Sequence, residues 1–384
     1  MIDDLEKREQ NSKKPPNLVN KKIKKKKNHP ALRYWGKIVL VLTIALLIVG
    51  LSLSFKIISS VSSHSGGVDG EKISVFQQIG NLLSNQGEKL KGEENDRINI
   101  LLMGMGGYGH QGSLLTDTII LASFKPSTKQ IALLSIPRDL AVEYPGDYYW
   151  RKINNSLAFG RDMAYPGGGE ALANDLVEQV TGQKIHYYGL IDFTGFEQII
   201  NGLGGIKINV ETSFTDYSYP TSDYGYQTLS FSAGEQMMDG ATALKFVRSR
   251  HGTNGEGSDF ARAKRQQKII IALKNKITSF STLISPKKIA EILNTLGGHT
   301  KTDLEIWEML RLYKLTQSTG QENFKSIVLD NAADGLLETE TGINGAYILV
   351  PQADNFSQIH EFCENIFQKK QKIEEDSAQI SLQK

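Results

Sequence analysis

The feature that most constrains this chain is an uncharged apolar segment at residues 38–55, with the sequence IVLVLTIALLIVGLSLSF. A helix of this length is long enough to cross the hydrocarbon core of a bilayer. The competing interpretation is a cleaved signal peptide, which has a shorter apolar region and a small-residue cleavage motif that is not evident here. We therefore predict an uncleaved transmembrane helix over residues 38–58.

Charge is distributed unevenly around this segment. Residues 1–37 contain twelve Lys or Arg and four Asp or Glu, whereas the rest of the chain contains 32 basic and 38 acidic side chains. Basic residues beside a membrane helix mark its cytoplasmic end. We therefore expect a disordered basic tail over residues 1–37 in the cytoplasm and, after a single pass of the cell membrane, an acidic extracellular body. Such a body is a poor partner for nucleic acid.

The other boundaries follow from composition and hydrophobic pattern. Residues 59–95 predict a flexible stalk and an accessory helix, residues 96–280 a globular core, and residues 281–384 a C-terminal extension of helices and strands packed on that core. In the core, the runs INILLMG, TDTIILASF and QIALLSI predict buried strands. No helix separates the last two runs, so we expect an α/β body with a mixed or antiparallel sheet region rather than a doubly wound one.

Several familiar kinds of site are not supported by the sequence. The glycine-rich segment GMGGYGHQG follows a strand but opens no helix, which argues against a dinucleotide site. His110 and His251 have no Cys or His partner at zinc spacing, and no Ser or Cys lies in a nucleophile-elbow context. The tyrosine-rich segment DYSYPTSDYGYQTLS predicts a loop.

The strongest functional signal is the segment FVRSRHGTNGEGSDFARAKRQQ at residues 246–267. Arg248 and Arg250 are two residues apart after a short apolar run. If that run ends in extended form, both guanidiniums point to the same side. Asp259 stands where the N-cap of the following helix belongs.

Three further polar residues lie on the predicted helix. Arg262, Arg265 and Gln266 share one arc of its surface because they are three to four residues apart or adjacent. Four arginines converging across one loop predict an anion site, and the planar fork of arginine matches the oxygens of phosphate or pyrophosphate. The alternative interpretation is a solvated basic helix face with surface salt bridges.

Carboxylates at strand ends are the other candidates for chemistry. Asp117 opens one predicted strand and Asp139 follows the end of the next. Each is suited either to hold a divalent metal or to accept a proton from an attacking hydroxyl, and the alternative role is a turn or cap. Lys152 and Asn154, in the segment RKINNS, are candidates for a phosphate contact and a backbone clamp.

The order and spacing of several blocks between residues 99 and 273 resemble the LytR-CpsA-Psr family of membrane-anchored enzymes of bacterial cell-wall assembly. The blocks are NILLMG, TDTIILASF, LLSIPRDL, KINNSLAFG, YYGLIDFTGFEQIINGLGGIKINV, LSFSAGEQMMDGATALKFVRSR and DFARAKRQQ. The membrane topology predicted above is also that of the family.

The resemblance implies an α-β-α sandwich around a mixed central sheet, with a hydrophobic groove for a prenyl chain. We expect that groove between the sheet and the helices at residues 170–181 and 259–279. The implied activity transfers a phosphoglycosyl group from a polyprenyl pyrophosphate-linked glycopolymer to a hydroxyl of peptidoglycan or another wall glycan. By position, the residues that would hold the pyrophosphate are Arg138, Arg248, Arg250, Arg262 and Gln266, with Lys152 as a further head-group contact.

The resemblance also implies magnesium, held by two aspartates of which Asp117 matches one. The other is absent, since Gly106 stands in its place, and Leu115 replaces the arginine expected before the Thr-Asp pair. Either His110 replaces the lost ligand, or magnesium binds mainly through the substrate phosphates. Asp139 or Asp117 would orient the acceptor hydroxyl. A non-catalytic protein that binds polyprenyl phosphate or wall glycan, or a regulatory protein, is the alternative.

Overall fold

The computed structural model describes residues 88–110, 112–146, 150–221, 225–279, 292, 294–342 and 345–368. The predicted basic tail, the transmembrane helix and most of the stalk with its accessory helix lie outside these residues. Among the described residues, no helix has both the length and the apolar character needed to cross a membrane.

The described residues alternate between strands and helices. The strands are β1 (Ile98–Met105), β2 (Thr116–Lys125), β3 (Gln130–Ser135), β4 (Ala141–Glu143), β5 (Trp150–Lys152), β6 (Tyr187–Asp192), β7 (Ile206–Val210), β8 (Phe214–Pro220), β9 (Tyr226–Phe231), β10 (Gly234–Met238), β11 (Thr300–Thr302), β12 (Phe324–Val328), β13 (Leu337–Thr341) and β14 (Tyr347–Pro351). The helices are α1 (Ser156–Asp162), α2 (Gly168–Thr181), α3 (Phe193–Gly202), α4 (Gly240–Arg248), α5 (Asp259–Ser279), α6 (Ile306–Thr316) and α7 (Ser357–Glu364).

A six-stranded mixed sheet forms the centre of the fold, in the order β11-β6-β1-β2-β3-β12. The three predicted core strands β1, β2 and β3 pair antiparallel, while β6 and β12 run parallel to β1 and β3 respectively. This confirms the prediction of a mixed α/β fold. The strands β11 and β12 come from beyond residue 281, so that segment supplies both edges of the sheet.

Helices cover both faces of this sheet because strand residues alternate between the faces. On one face, residues such as Leu101 and Leu121 pack against α2 and α7 through Leu172, Leu176 and Ile359. On the other face, Ile100, Ile120 and Leu133 pack against partly buried side chains of α5 and α6. Burying apolar surface on both sides stabilises the central strands.

The tyrosine-rich segment predicted as a loop is instead the antiparallel hairpin of β8 and β9. The prediction was wrong because Tyr219 and the flanking residues Phe214 and Phe231 are buried, whereas Tyr217 and Tyr226 are exposed. Asp216 is a buried carboxylate of this hairpin. It accepts hydrogen bonds from the Ser249 hydroxyl (2.6 Å) and from the backbone N–H groups of Ser218 (2.9 Å), Arg250 (3.2 Å) and His251 (3.3 Å).

The bonds to Asp216 fix the loop that carries Arg250. Burial alone would raise the pKa of the Asp216 carboxyl, but these hydrogen bonds outweigh that effect and lower its pKa. The carboxylate is therefore held in its charged form, in which it accepts all of these bonds.

The extended form predicted before Arg248 is also wrong, because residues 240–248 form helix α4. The Asp239 carboxylate caps this helix by accepting a hydrogen bond from the Thr242 N–H at 2.8 Å. Only after Arg248 does the backbone leave the helix, at Ser249. The side chains of Arg248 and Arg250 therefore do not share one side of a strand.

Candidate active site

A cavity of about 370 Å³ opens at one end of the central strands β2 and β3. Strands β2 and β3 are antiparallel neighbours, so the start of β2 and the end of β3 lie at the same end of the strand pair. The first turns of α5 and strand β14 contribute further parts of the wall. The charged residues that line the cavity are Asp117, Arg138, Asp139, Arg250, Asp259 and Arg262, and Gln266 lines it as well.

Asp259 lies at the centre of the charged side chains. Its carboxylate accepts two hydrogen bonds from Arg250, at 3.0 and 3.3 Å, and lies 3.1 Å from Nη1 of Arg262. Burial alone would raise its pKa, but the surrounding guanidiniums outweigh that effect and hold the pKa below its usual value. Asp259 therefore stays ionised as an internal counter-ion of the arginines.

Asp259 is not the N-cap of α5, contrary to the prediction. The cap is Ser258, whose hydroxyl accepts a hydrogen bond from the Ala261 N–H at 3.0 Å and whose carbonyl accepts from the Arg262 N–H at 3.0 Å. Because Ser258 satisfies the helix start, the Asp259 side chain is free to bind the arginines. The N-terminus of α5 also borders the cavity, and a helix N-terminus favours an anion.

Arg262 is the most deeply set of the arginines that line the cavity, with 8% of its side chain exposed. Burial lowers its pKa to about 10, against the opposing negative charges of Asp259 and Asp117. The guanidinium thus remains charged at neutral pH, yet it has little contact with water. Charge-assisted bonds to an anion are strongest in such a desolvated position.

Arg138 joins the three carboxylates of the cavity. Its Nη1 donates a hydrogen bond to Asp117 at 2.6 Å, and its Nε lies 3.4 Å from Asp139 and 3.5 Å from Asp259. Both distances are within the range of an ion pair, but the buried Nε donates no hydrogen bond. Burial alone would lower the pKa of Arg138, but the bond to Asp117 and the neighbouring negative charges raise it.

Lys152 and Asn154 support the cavity from beside it rather than lining it. Lys152 donates to the Asp139 carboxylate at 2.6 Å. The Asn154 backbone N–H donates to the Arg138 carbonyl at 3.3 Å, and the Asn154 carbonyl accepts from the Thr116 hydroxyl at 3.1 Å. These bonds hold the turn that carries Arg138 against the start of β2.

Arg265 does not take part in the cavity, so the predicted convergence of four arginines is wrong for this residue. Its side chain is 2% exposed and lies close to the rings of Phe214 and Phe246. It donates hydrogen bonds to the carbonyls of Phe246 (2.9 Å), Glu256 (3.0 Å) and Ser249. Arg265 therefore ties the loop after α4 to helix α5.

Arg248 also lies apart from the lining of the cavity. Its guanidinium lies over the ring of Phe193 at 4.2 Å and near that of Tyr219 at 5.6 Å. The His110 ring meets the same Phe193 ring at 5.1 Å in an edge-to-face arrangement. The convergence described by the structure thus comprises Arg138, Arg250 and Arg262.

The residues around Asp117 do not fit a preformed metal centre. The Asp117 carboxylate is bonded to Arg138, and His110 packs against Phe193. Within the described ranges, no group of three or more His, Cys, Asp or Glu side chains is arranged to hold a metal ion. Magnesium needs close to octahedral oxygen coordination, which one carboxylate shared with a guanidinium does not supply.

Two residues near the site were not predicted from the sequence. Asp216 lies in the segment misread as a loop, and its role depends on contacts from a distant part of the chain. Tyr347 lines the cavity from β14, in the C-terminal segment that carries no motif. No local signal marks either residue.

The apolar part of the cavity lies partly where the prenyl groove was expected. Helix α5 contributes Phe260 and Ala263, and the sheet contributes Ile119, Ile136 and Val328. The helix at residues 170–181 contributes no side chain to the lining, although its apolar residues belong to the same core cluster as Ile119, Ile136 and Leu349. The part of the groove assigned to that helix therefore stays a prediction.

Comparison with known proteins confirms the predicted resemblance and extends it along the chain. The model of the LytR_cpsA_psr family matches residues 59–364, a wider range than the sequence blocks noted above. The chain is 34% identical over 232 residues to the polyisoprenyl-teichoic acid–peptidoglycan teichoic acid transferase TagU of Oceanobacillus iheyensis. This match covers 60% of this chain and 66% of that protein, just under two thirds of its length.

Two further matches show the same relationship. The chain is 27% identical over 272 residues to the regulatory protein MsrR of Staphylococcus aureus, covering 70% of this chain and 75% of that protein. Its fold is similar to the crystal structure of Bacillus subtilis TagV, with a TM-score of 0.54, 27% identity and coverage of 71% of this chain and 97% of that one. Because the family model spans most of the chain, this protein belongs to the LytR_cpsA_psr family.

Proposed function

We propose that this chain is a membrane-anchored phosphotransferase. It moves a glycopolymer phosphate from a polyprenyl pyrophosphate carrier to a hydroxyl of peptidoglycan or another cell-wall glycan. The observation that carries the proposal is the cavity, in which three guanidiniums meet beside an apolar wall. The name of the TagU relative describes a polyisoprenyl-linked donor and a peptidoglycan acceptor, which supports the same reaction class.

The charged end of the cavity suits a pyrophosphate that is attacked by a hydroxyl. The acceptor oxygen forms a bond to the phosphorus that carries the sugar, and the bond from that phosphorus to the bridging oxygen breaks. Prenyl monophosphate leaves with the electron pair, and the hydroxyl proton passes to a carboxylate. Arginines that are already in place stabilise the charge that develops on the phosphoryl oxygens.

Asp259 gives this site its selectivity for an anion of high charge. In the free protein its carboxylate occupies two donors of Arg250 and one of Arg262. An incoming pyrophosphate must take over these donors, and its larger number of charged oxygens favours the exchange. Gln266 would add a neutral donor at the same wall.

Of the two candidate bases, we propose Asp117 rather than Asp139. The Asp117 side chain is 39% exposed, whereas that of Asp139 is 14% exposed and lies between Arg138 and Lys152. An acceptor glycan arriving from solvent therefore reaches Asp117 more readily. Lys152 acts on the site by holding Asp139.

The apolar end of the cavity is proposed to take the first carbons of the prenyl chain. Its side chains are Ile119, Ile136, Phe260, Val328 and Leu349. A volume of about 370 Å³ is at the lower end of the range for ligand sites, so the rest of a long prenyl chain would stay in the bilayer. A donor that is held in the membrane at one end and by arginines at the other is oriented for attack.

Magnesium is expected to bind too weakly to the free protein for detection. Calorimetric titration of the full-length chain with millimolar magnesium should therefore show no binding, because Asp117 supplies one or two oxygens and is bonded to Arg138. Asp117→Asn should still reduce transfer, since the amide does not accept the hydroxyl proton. Tight magnesium binding by the wild type, or full activity of Asp117→Asn, would contradict this assignment.

The anchor is proposed to cross the membrane once, with residues 1–37 in the cytoplasm and the body outside. This rests on the charge asymmetry around residues 38–55. Protease added to intact cells should degrade the body and spare the basic tail, as detected with epitopes at the two ends. Degradation of the tail with protection of the body would reverse the topology.

A non-catalytic function is the alternative, in which the protein binds polyprenyl phosphate or wall glycan without turnover. Two observations support this alternative. Each arginine that lines the cavity contacts an aspartate, and the relative MsrR is named a regulatory protein. The two functions differ in turnover. Full-length chain in detergent, incubated with a prenyl pyrophosphate-linked glycan and a wall-glycan acceptor, should attach phosphoglycan to the acceptor if the main proposal is right.

A further inference from the structure

Tyr347 is a large exposed side chain at the wall of the cavity. It is 49% exposed, and it is the one member of the exposed large apolar and aromatic residues of the described chain that also lines the cavity. An aromatic side chain that is half exposed beside a charged site is accessible to a ligand in that site. A single exposed aromatic side chain is ordinary on a protein surface, so what distinguishes Tyr347 is its place in the wall of the cavity.

The strand that carries Tyr347 is hydrogen-bonded to the segment after β3 that carries Asp139. Strand β14 pairs with β13, and Tyr347 lies opposite Thr341 in that pairing. Two residues further, the Leu349 N–H donates to the Asp139 carbonyl at 3.0 Å, and Leu349 forms a parallel bridge with Leu140. Because alternate residues share a face of a strand, Tyr347 and Leu349 both face the cavity, and Leu349 forms part of its apolar wall.

The other exposed part of the cavity wall is polar. It consists of Arg250, His251, Gly257 and Ser258, which are all exposed and lie between α4 and α5. The buried part of the wall contains the aliphatic side chains of Ile119, Ile136 and Leu349, beside Ser135 and the guanidinium of Arg262. A pyrophosphate on the arginines would therefore direct its hydrocarbon inward, and its sugar outward to where Tyr347 is exposed.

We propose that Tyr347 packs its ring against a pyranose ring at the mouth of the cavity. This inference rests on the proposed function and adds a sugar subsite to it. A pyranose has an apolar face of C–H groups and a polar rim, which matches an aromatic ring that is apolar on its face and wet at its edge. The sugar belongs either to the donor, next to the pyrophosphate, or to the acceptor glycan, and the experiment distinguishes them.

The test compares Tyr347→Ala, Tyr347→Phe and the control Tyr217→Ala in the full-length chain. Tyr217 is a suitable control because it is also exposed, at 66%, but lies on β8 and does not line the cavity. The measurements are the KM for the glycan-bearing donor, the KM for the acceptor, and the Kd for prenyl pyrophosphate that carries no sugar. Should the wild type bind the donor without turnover, the Kd of the glycan-bearing donor replaces its KM.

Tyr347→Ala should raise the KM of one glycan substrate about tenfold, the scale of one lost aromatic contact. A rise confined to the donor assigns the sugar to the donor, and a rise confined to the acceptor assigns it to the acceptor. Prenyl pyrophosphate without sugar should bind to Tyr347→Ala with the Kd of the wild type. The glycan KM values of Tyr347→Phe and Tyr217→Ala should stay within about twofold of the wild-type values. Unchanged glycan KM values, equal weakening of the sugar-free ligand, or equal loss in Tyr347→Phe would overturn the proposal. A wild type with neither transfer nor binding would overturn the proposed function instead.

Discussion

Replacing Arg262 by alanine is expected to lower transfer by roughly 100- to 1,000-fold, the effect of removing one preorganised donor from an oxyanion. The residue is buried at the polar end of the cavity and holds its charge out of water. Its loss removes stabilisation from the phosphoryl oxygens while Asp259 keeps its bonds to Arg250. The measurement is kcat/KM for transfer of the phosphoglycosyl group. Arg262→Lys should restore only part of the rate, because lysine lacks the planar fork.

Two comparisons separate a chemical effect from damage to the fold. Lys264 is exposed on the same helix outside the cavity, so Lys264→Ala should transfer at the wild-type rate. Arg250 is also exposed, so Arg250→Ala should reduce transfer strongly without disturbing the core. Wild-type turnover in both Arg262→Ala and Arg250→Ala would show that the arginine cavity is not the site of reaction.

Arg265→Ala is expected to have its largest effect on folding instead. Removing one partner of a buried ion pair typically costs about 3–5 kcal/mol in the free energy of unfolding. Here the carboxylate of Glu256, 2.5 Å from Arg265, and the carbonyls of Phe246 and Ser249 lose their donor, and the guanidinium no longer packs near two phenyl rings. Urea unfolding followed by circular dichroism measures the change, with Lys264→Ala as the matched control on the same helix.

A small effect would contradict the structural role assigned to Arg265. If Arg265→Ala changed the free energy of unfolding by less than about 0.5 kcal/mol, the range of ordinary surface substitutions, the buried bonds would not matter for stability. If it also abolished transfer while remaining folded, the sequence-based view of four converging arginines would be right. The contrast between Arg262 and Arg265 therefore tests the geometry of the site within one turn of helix.

The central strands were predictable because their signal is local. The runs that form β1, β2 and β3 are continuous apolar segments bounded by glycine, proline or polar turns, and they became the buried centre of the sheet. Helix α5 was predictable for a similar reason, since its polar start follows a loop rich in glycine and serine. Its cap was placed one residue too late.

Helix α4 was missed although its signal is present. Ala243, Leu244 and Val247 are buried at helical spacing, and Asp239 precedes the run as an N-cap. The run ALKFV looked extended because it is short and ends in an aromatic and a β-branched residue. Short apolar runs remain ambiguous between helix and strand.

The arrangement of arginines could be predicted only in part. Helical spacing places Arg262 and Arg265 on one arc, but it does not say that one faces the cavity and the other faces Phe214 and Phe246. That choice depends on α4 and on the β8–β9 hairpin, which come together only in the folded chain. Tyr347 was beyond sequence reasoning for the same reason, since β14 reaches the cavity through a bridge to Leu140.

The most direct measurement of the proposed chemistry is the stoichiometry of transfer by the full-length chain in detergent. Prenyl pyrophosphate-linked glycan and wall-glycan acceptor are incubated with the protein, and prenyl monophosphate and phosphodiester-linked product are quantified by ³¹P NMR and mass spectrometry. Transfer through the cavity predicts one prenyl monophosphate released for each phosphodiester formed on the acceptor, and both products formed roughly 100- to 1,000-fold more slowly with Arg262→Ala. Donor binding by the wild type without either product would contradict catalysis and establish the non-catalytic alternative.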